Sequence, residues 1–357
     1  MHTISIQDRR IGADTPTYFI ADIAANHDGD LDRAVELIRL AAEAGADAAK
    51  FQHFTADKIV SQKGFDRLGG KASHQAAWSK SVSEVYADAS VPRTWTATLH
   101  QACIDNNIHF FSTPYDFEAV DLLDEFVPAY KIGSGDIDWA EMLEYIATKN
   151  KPVLLATGAA SLHEVCRSVD HILQTNSQLV LMQCNTNYTG STDNFAHINL
   201  NVLKSYATLY PDLILGLSDH TPGLTTVLGA IALGARVVEK HFTDDETRTG
   251  PDHGFSMTPT TWRDMVDRAR ELEQAMGSPL KQVEANEAET VCLQRRCLRA
   301  ARPIAQGERI TKAMLSALRP APAGSISPWD TDQVVGSFAH RAFEQGEELR
   351  WDALVAR

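Results

Sequence analysis

The chain has 357 residues, enough for one large domain plus a small one, and its apolar and charged fractions are those of an ordinary globular protein. Its formal charge of −14 excludes a general nucleic-acid or anionic-membrane surface, because either needs clustered Lys and Arg. An anionic ligand would therefore have to be held by a local positive site.

Five cysteines, Cys103, Cys166, Cys184, Cys292 and Cys297, form an odd set without metal-ligand spacing. Neither a disulfide framework nor a zinc ribbon is indicated, and reduced thiols in a cytoplasmic protein are expected. The opening MHTISIQDRRIG has no apolar signal core, and no later segment approaches the roughly 20 apolar residues of a membrane helix.

From the N-terminus to about residue 280, β-rich runs alternate with helical patterns, as in parallel strands joined by crossover helices. The eight strand candidates are TYFIADI, ADAAKFQ, IHFFST, AYKIGS, PVLLAT, LVLMQC, LILGLS and RVVEKHF. Most are continuous apolar runs, as strands buried on both faces require. The first helical stretch, LDRAVELIRLAAEAG, repeats its apolar residues every three to four positions and offers Gly45 as its C-terminal stop. Eight such units in this length suit a closed (β/α)8 TIM barrel better than an open doubly wound sheet, which counting alone leaves open.

The longest break, Thr55 to Pro92, exceeds a simple connection and is expected to form a binding excursion over the barrel mouth; a decorative surface insertion is the alternative. After TTWRDMVDRARELEQAMG the sequence turns to short elements rich in Pro and Gly turns. The expected division is a catalytic barrel over residues 1–280 and a cap over 289–357, with Ser278 to Ala288 as linker.

In a barrel enzyme the reacting groups lie at the carboxyl ends of the strands. Those ends read IADIAANH, KFQH, STPYD, KIGSGD, ATG, QCNTNY, LSDHTPG and EKHFTDD. Helix capping accounts for Ser, Thr and Asp there, but not for Lys50, Lys131, His220 and His241. Strands seven and eight end in His220 and His241, and neighbouring strands are about 4.8 Å apart, so the imidazoles could share one ion or be hydrogen-bonded rim residues. Two His plus water or substrate oxygens would suit Mn2+, Fe2+, Co2+ or Zn2+. Lys50 and Lys131 would meet across the mouth, which favours a bound phosphate or carboxylate assisted by Ser134 and Ser218, unless both ammonium groups reach water. Asp22, Asp136, Glu239 and Asp252 are carboxylates at the same mouth, able to orient hydroxyls, activate water or balance the cations.

The string ADIAANHDGDLDRAVELIRLAAEAGADAAKFQ resembles the opening of the N-acetylneuraminate (sialic acid) synthase family. STPYD, YKIGSGDI, LATG, SDHTPG, EKHFTDD and GPDHGFSM follow in the family's order, and RRCLRAARPIAQGERIT with RPAPAGSISP resembles its antifreeze-like (SAF) domain. The resemblance implies condensation of phosphoenolpyruvate with the open-chain aldehyde of an N-acetylated mannosamine-type sugar. It further implies a divalent metal on His220 and His241, with Mn2+ the expected ion and Mg2+ or Co2+ as alternatives. Lys50, Thr113, Lys131, Ser134 and Ser218 would grip phosphoenolpyruvate, and Gln52, Thr186, Tyr188 and Asp252 match positions in or near the substrate pocket. A domain-swapped homodimer is implied as well, in which Arg319 of the cap reaches the partner's sugar.

Two positions depart from the family: Asp22 and Asp136 stand where Glu is usual, and the QCNTNYTG string differs from the commoner HCTSxYP type. Carboxylates shorter by one methylene leave room for a bulkier acceptor or a bridging water, so the reaction class is unaffected while the sugar is open. The competing readings are a metal-dependent barrel aldolase or hydrolase that does not use phosphoenolpyruvate, and an inactive sugar-binding protein.

Overall fold

The computed structural model describes residues 3–68, 75 and 78–355. Two antiparallel strands, β1 (Thr3–Ile6) and β2 (Arg9–Gly12), come first. Eight parallel strands follow: β3 (Tyr18–Asp22), β4 (Ala48–His53), β5 (His109–Pro114), β6 (Tyr130–Ile132), β7 (Val153–Ala156), β8 (Leu179–Cys184), β9 (Ile214–Asp219) and β10 (Ala235–His241). Their hydrogen-bonded order is β5-β4-β3-β10-β9-β8-β7-β6, and β5 packs against β6 at the seam. This is the expected TIM-like barrel, and the eight sequence candidates coincide with its strands to within three residues at every end.

Side chains alternate across each strand, so one set faces the helices and the other the barrel interior. The outward set, including Phe19, Phe51, Phe110, Leu155, Leu181, Leu217 and Val238, packs on helical Leu37, Ile38, Leu143, Val169 and Trp262. The inward set forms a separate core of Tyr18, Ile20, Phe111, Leu154, Val180, Met182, Ile214 and Val237. Ile4, Ile6 and Ile11 of the β1–β2 hairpin belong to this inner core and stop the barrel's lower end. The hairpin escaped the sequence reading because each strand is only four residues long and its alternation, TISI, covers a single pair of apolar positions.

The first barrel helix, Leu31–Glu43, starts at Asp30, whose carboxylate accepts the Arg33 backbone N–H at 3.1 Å. It stops where Gly45 takes a φ of +93°, open to glycine at little cost. The segment after β4 carries three short helices, Ala56–Ile59, Gln62–Arg67 and Val82–Ala89. Among the described residues no helix is long and apolar enough to cross a membrane.

The chain separates into two compact units, Met1–Gly277 and Ser278–Arg357. The second unit pairs β11 (Cys297–Ala300) with β12 (Leu315–Leu318), and β13 (Phe338–Ala339) with β14 (Leu354–Val355). Leu298, Ile304, Ile310, Ile326, Phe343 and Leu349 form its own core.

Inside the barrel, Gly216 makes room for its neighbours: a Cβ there would lie 2.9 Å from both Met182 Cγ and the Val237 carbonyl oxygen. Gly216→Ala should therefore overpack the interior and cost about 1–3 kcal/mol, read as a lower urea midpoint. A midpoint equal to or above that of the parent protein would refute this account of the packing.

Candidate active site

The strand register decides which inward side chains meet above the apolar core. Asp22 pairs with Lys50 on one side and with His241 on the other; Glu239 pairs with Ser218, and Ser218 with Cys184. These residues, with Gln52, Thr113, Lys131, Ser134, Asp136, Tyr188, His220 and Asp252, line one cavity of about 360 Å3. Of the side chains expected at the site, Thr186 and Arg319 are not in this wall. Thr186 lies against the backbone of Gly158, where an added Cβ would come within 2.4 Å of its methyl group. Arg319 belongs to the second unit, and its Nε donates to the Gln294 carbonyl oxygen.

Lys50 and Lys131 are both buried and both have internal counter-ions. Lys50 Nζ lies 2.7 Å from Asp22 Oδ2 and 3.8 Å from Glu239 Oε1, and Lys131 Nζ lies 3.5 Å from the same Glu239 oxygen. Burial alone would lower the Lys50 pKa, but the charges of Asp22 and Glu239 outweigh it and hold the ammonium above its usual range. The proximity of two cations is thus answered first by Glu239, which bridges them and accepts from Ser218 Oγ at 3.2 Å. Glu239 Oε2 is buried without a hydrogen-bond partner. Gln52 Nε2 donates to Asp22 Oδ2 at 3.3 Å.

The rings of His220 and His241 approach to 5.3 Å between centroids. His220 Nδ1 lies 2.8 Å from the Asn185 carbonyl oxygen, a contact that needs the proton on Nδ1 and leaves Nε2 with its lone pair. Burial pushes His241 well below the usual imidazole range, and the charge of Lys50 adds to the effect; its Nδ1 has no hydrogen-bond partner. Two imidazoles with available lone pairs fit as two ligands of a divalent cation whose other positions go to water or substrate. Among the described residues no cluster of three or more His, Cys, Asp or Glu side chains is arranged to hold one.

Asp252 Oδ2 is 3.8 Å from His241 Nδ1 and accepts the Ala25 N–H at 3.1 Å. Burial raises its pKa to about 6 against that hydrogen bond, with help from the charge of Asp22. The loop bearing Asp252 is sewn to the loop after β3. His253 bridges Thr243 Oγ1 (2.7 Å) and Asp28 Oδ1 (3.0 Å); Arg248 donates to Asp28 Oδ2 at 2.8 Å, and Arg33 binds Asp244 through both terminal nitrogens. The GPDH and FTDD strings therefore hold the loop as well as supplying site residues. Similarly, Asp219 of SDHT serves the barrel frame, bound by Lys240 Nζ at 2.5 Å and by Thr226 Oγ1 at 2.7 Å.

The excursion after β4 does reach the mouth: Ile59, Trp78, Val85, Tyr86 and Ala89 line the cavity beside Phe54 and Tyr115. None of these side chains was singled out from the sequence, although the length of the insertion and the STPYD string marked their neighbourhoods. Gly158 was passed over as well. Its N–H donates to Ser134 Oγ at 2.9 Å, and a side chain there would strike Ser134, Cys184 and Thr186.

A polar cavity at the carboxyl ends of an eight-stranded barrel is where barrel enzymes carry their reacting groups, and this chain adds a second, small β-rich unit. Residues 37–281 match the NeuB family and residues 295–355 the SAF domain, and the chain belongs to the NeuB family. It is 34% identical over 346 residues to the N,N'-diacetyllegionaminic acid synthase of Campylobacter jejuni, covering 94% of this chain and 99% of that protein. It is 33% identical over 276 residues to the N-acetylneuraminate-9-phosphate synthase of Homo sapiens, covering 77% and 75%. The crystal structure of N-acetylneuraminic acid (sialic acid) synthetase from Leptospira borgpetersenii, in complex with citrate, superposes with a TM-score of 0.71 at 28% identity, covering 81% of this chain and 95% of that one.

Burial, then the charge of Asp138, lifts the Asp136 pKa to about 6, opposed by Lys131. A free Asp titrates near ~3.9. The stability contributed by the protonated form is complete below the unfolded value and lost as pH rises through the folded one. Asp136→Asn should accordingly be more stable than the parent by about 1–3 kcal/mol above pH 6, the difference vanishing below about pH 4. Urea unfolding across that range checks this, and a pH-independent difference would rule it out.

Proposed function

We propose that this enzyme condenses phosphoenolpyruvate with the open-chain aldehyde of an N-acetylated mannosamine-type sugar, giving a nonulosonic acid and inorganic phosphate. The observation that carries the reading is the meeting of Lys50, Lys131, Ser134, Ser218 and Thr113 with the His220–His241 pair in one cavity. The lysines and hydroxyls bind the anionic reactant, and His220 and His241 hold a divalent metal, with Mn2+ the ion we expect. When bound, that ion polarises the aldehyde oxygen.

The C2–C3 π electrons of phosphoenolpyruvate form the new C–C bond from C3 to the aldehyde carbon as the aldehyde's C–O π bond opens; its oxygen takes up a proton to become a hydroxyl, and positive charge is left at C2. Water adds at C2 and gives up a proton, for which Asp22, hydrogen-bonded to Lys50 and Gln52, is the assigned acceptor. Phosphate then leaves with the electron pair of its C2–O bond as the C2 hydroxyl gives up its proton and becomes the ketone, and the phosphate's charge is met by Lys50 and Lys131. Asp252 and Asp136, both held near pH 6, place the sugar's hydroxyl and amide groups with Gln52 and Tyr188. Glu239 keeps the two ammonium groups in position between turnovers. The enzyme works as a homodimer, with Arg319 of one subunit covering the sugar bound by its partner.

Because Asp22 and Glu239 already neutralise the lysines, binding of phosphoenolpyruvate is itself a test. Calorimetry on the metal-loaded protein should show it bound, and phosphate should appear when a 2-acetamido or 2,4-diacetamido hexose is added. His220→Ala and His241→Ala should each lose Mn2+ binding by calorimetry and reduce phosphate release about a thousandfold. Unchanged Mn2+ affinity in both variants would remove the histidines from the metal site. Absence of phosphate release with every sugar of the panel would overturn the reaction.

A further inference from the structure

The two histidines of the site are not held alike. His220 Nδ1 lies 2.8 Å from the Asn185 carbonyl oxygen, with Cys184 Sγ a distant second acceptor at 4.0 Å. Its ring also meets Tyr188 edge-on, 4.3 Å between centroids. His241 Nδ1 has no hydrogen-bond partner among the described residues and lies 3.8 Å from Asp252 Oδ2. The Asn185 carbonyl and the Tyr188 ring that support His220 both come from the loop that follows β8.

A backbone carbonyl orients an imidazole only as firmly as its own peptide is held, and Asn185 lies past the end of the strand ladder. Its side chain supplies the restraint. Asn185 Nδ2 donates to the His197 carbonyl oxygen at 3.2 Å, and its Oδ1 accepts the Asn187 N–H at 3.1 Å. One partner is an acceptor and the other a donor, so the amide can point in one sense only. The bond to Asn187 closes an Asx turn, and the peptide that carries the Asn185 carbonyl lies inside that ring. The next residues continue the network. Asn187 Oδ1 accepts from the Thr189 N–H at 3.1 Å, from Thr189 Oγ1 at 2.6 Å and from Asn194 Nδ2 at 3.2 Å. Gln183, in β8, donates through Nε2 to the Ile198 carbonyl oxygen at 2.9 Å. The loop is thereby bound along residues 194–198, and Tyr188 is carried on the bound stretch.

We propose that Asn185 is the positioning residue for His220. Its side-chain amide sets the direction of its own carbonyl, the carbonyl keeps the imidazole proton on Nδ1, and the Nε2 lone pair is left for the ion. This rests on the reading of His220 and His241 as metal ligands. Partners of this kind behind a metal-binding histidine change metal affinity by about 10–100-fold.

Asn185→Ala removes both side-chain bonds and leaves the carbonyl in the chain. Calorimetry on the metal-free full chain should show Mn2+ bound about 10–100-fold more weakly than by the parent protein. Asn185→Ser keeps an acceptor for the Asn187 N–H and should bind with intermediate affinity. Labelling of histidine with 15N gives a readout apart from metal and turnover, taken at about pH 8, where a free imidazole of pKa about 6.5 is neutral. In the metal-free parent, His220, assigned by its loss in His220→Ala, should carry its proton on Nδ1; in Asn185→Ala it should show a mixture of both tautomers. Asn199→Gly removes the other amide on the His197 carbonyl, 3.3 Å away, at a φ of +49° that glycine accepts. It should leave Mn2+ affinity within about twofold of the parent and the signature unchanged, since it does not touch Asn185. A cooperative urea transition in each variant separates mispositioning from unfolding. Parent-like Mn2+ affinity in Asn185→Ala, a proton on Nε2 of His220 in the parent, or equal weakening by Asn199→Gly overturns the proposal. A parent protein that binds no Mn2+ overturns the metal reading instead, and the tautomer change in Asn185→Ala then decides the positioning alone.

Discussion

The candidate site depends on a mutual neutralisation of buried charge. Two ammonium groups and two carboxylates, Lys50, Lys131, Asp22 and Glu239, are at most about 5% exposed. Any one of them alone would cost several kcal/mol to bury. Bridging by Glu239 and the 2.7 Å contact between Lys50 and Asp22 make the set tolerable. The contacts exist only because a closed barrel brings strands β3, β4, β6 and β10 around one axis. Cations held in place this way meet an incoming anion without first being gathered from water, which is the preorganisation that stabilises developing charge.

The layering of the barrel separates stability from chemistry along the same strands. In β3, Tyr18 and Ile20 belong to the apolar interior and Asp22, two residues on, to the site; in β10 the succession is Val237, Glu239 and His241. A one-residue slip in register would exchange Lys50 for Phe51 and Glu239 for Lys240, placing the site residues among the helices. The hairpin closes the lower end with isoleucines, so the cavity opens at the carboxyl ends of the strands. The clasp of Asp28, His253, Arg248 and Arg33 adds the remaining constraint by fixing the loop that carries Asp252 against His241.

Much of this was legible in the sequence. Strands buried on both faces are apolar throughout, so their polar ends stand out; LVLMQC and RVVEKHF announce both a strand and the place where it stops serving the core. Inspecting those ends locates Asp22, Lys50, Lys131, His220 and His241 without coordinates. The NeuB and SAF assignments follow from motifs that keep their order over nearly the whole chain. What sequence spacing could not give is the identity of partners across strands: it offers an outside anion and four carboxylates as partners for the two lysines, and the structure sets Glu239 between them.

The sequence by itself determined the number of barrel strands, the polarity of their ends and the kinship of the chain, because apolar runs and motif order are properties of neighbours along the chain. Tertiary structure alone decided which side chains share the cavity. Glu239 joins Lys50 and Lys131 across scores of residues, Trp78 and Tyr86 come to the mouth from an insertion without strong periodicity, and Thr186 packs against Gly158 and is not among the lining residues. Such contacts depend on strand register and barrel closure, which arise from packing the whole sheet and are written in no local stretch of sequence.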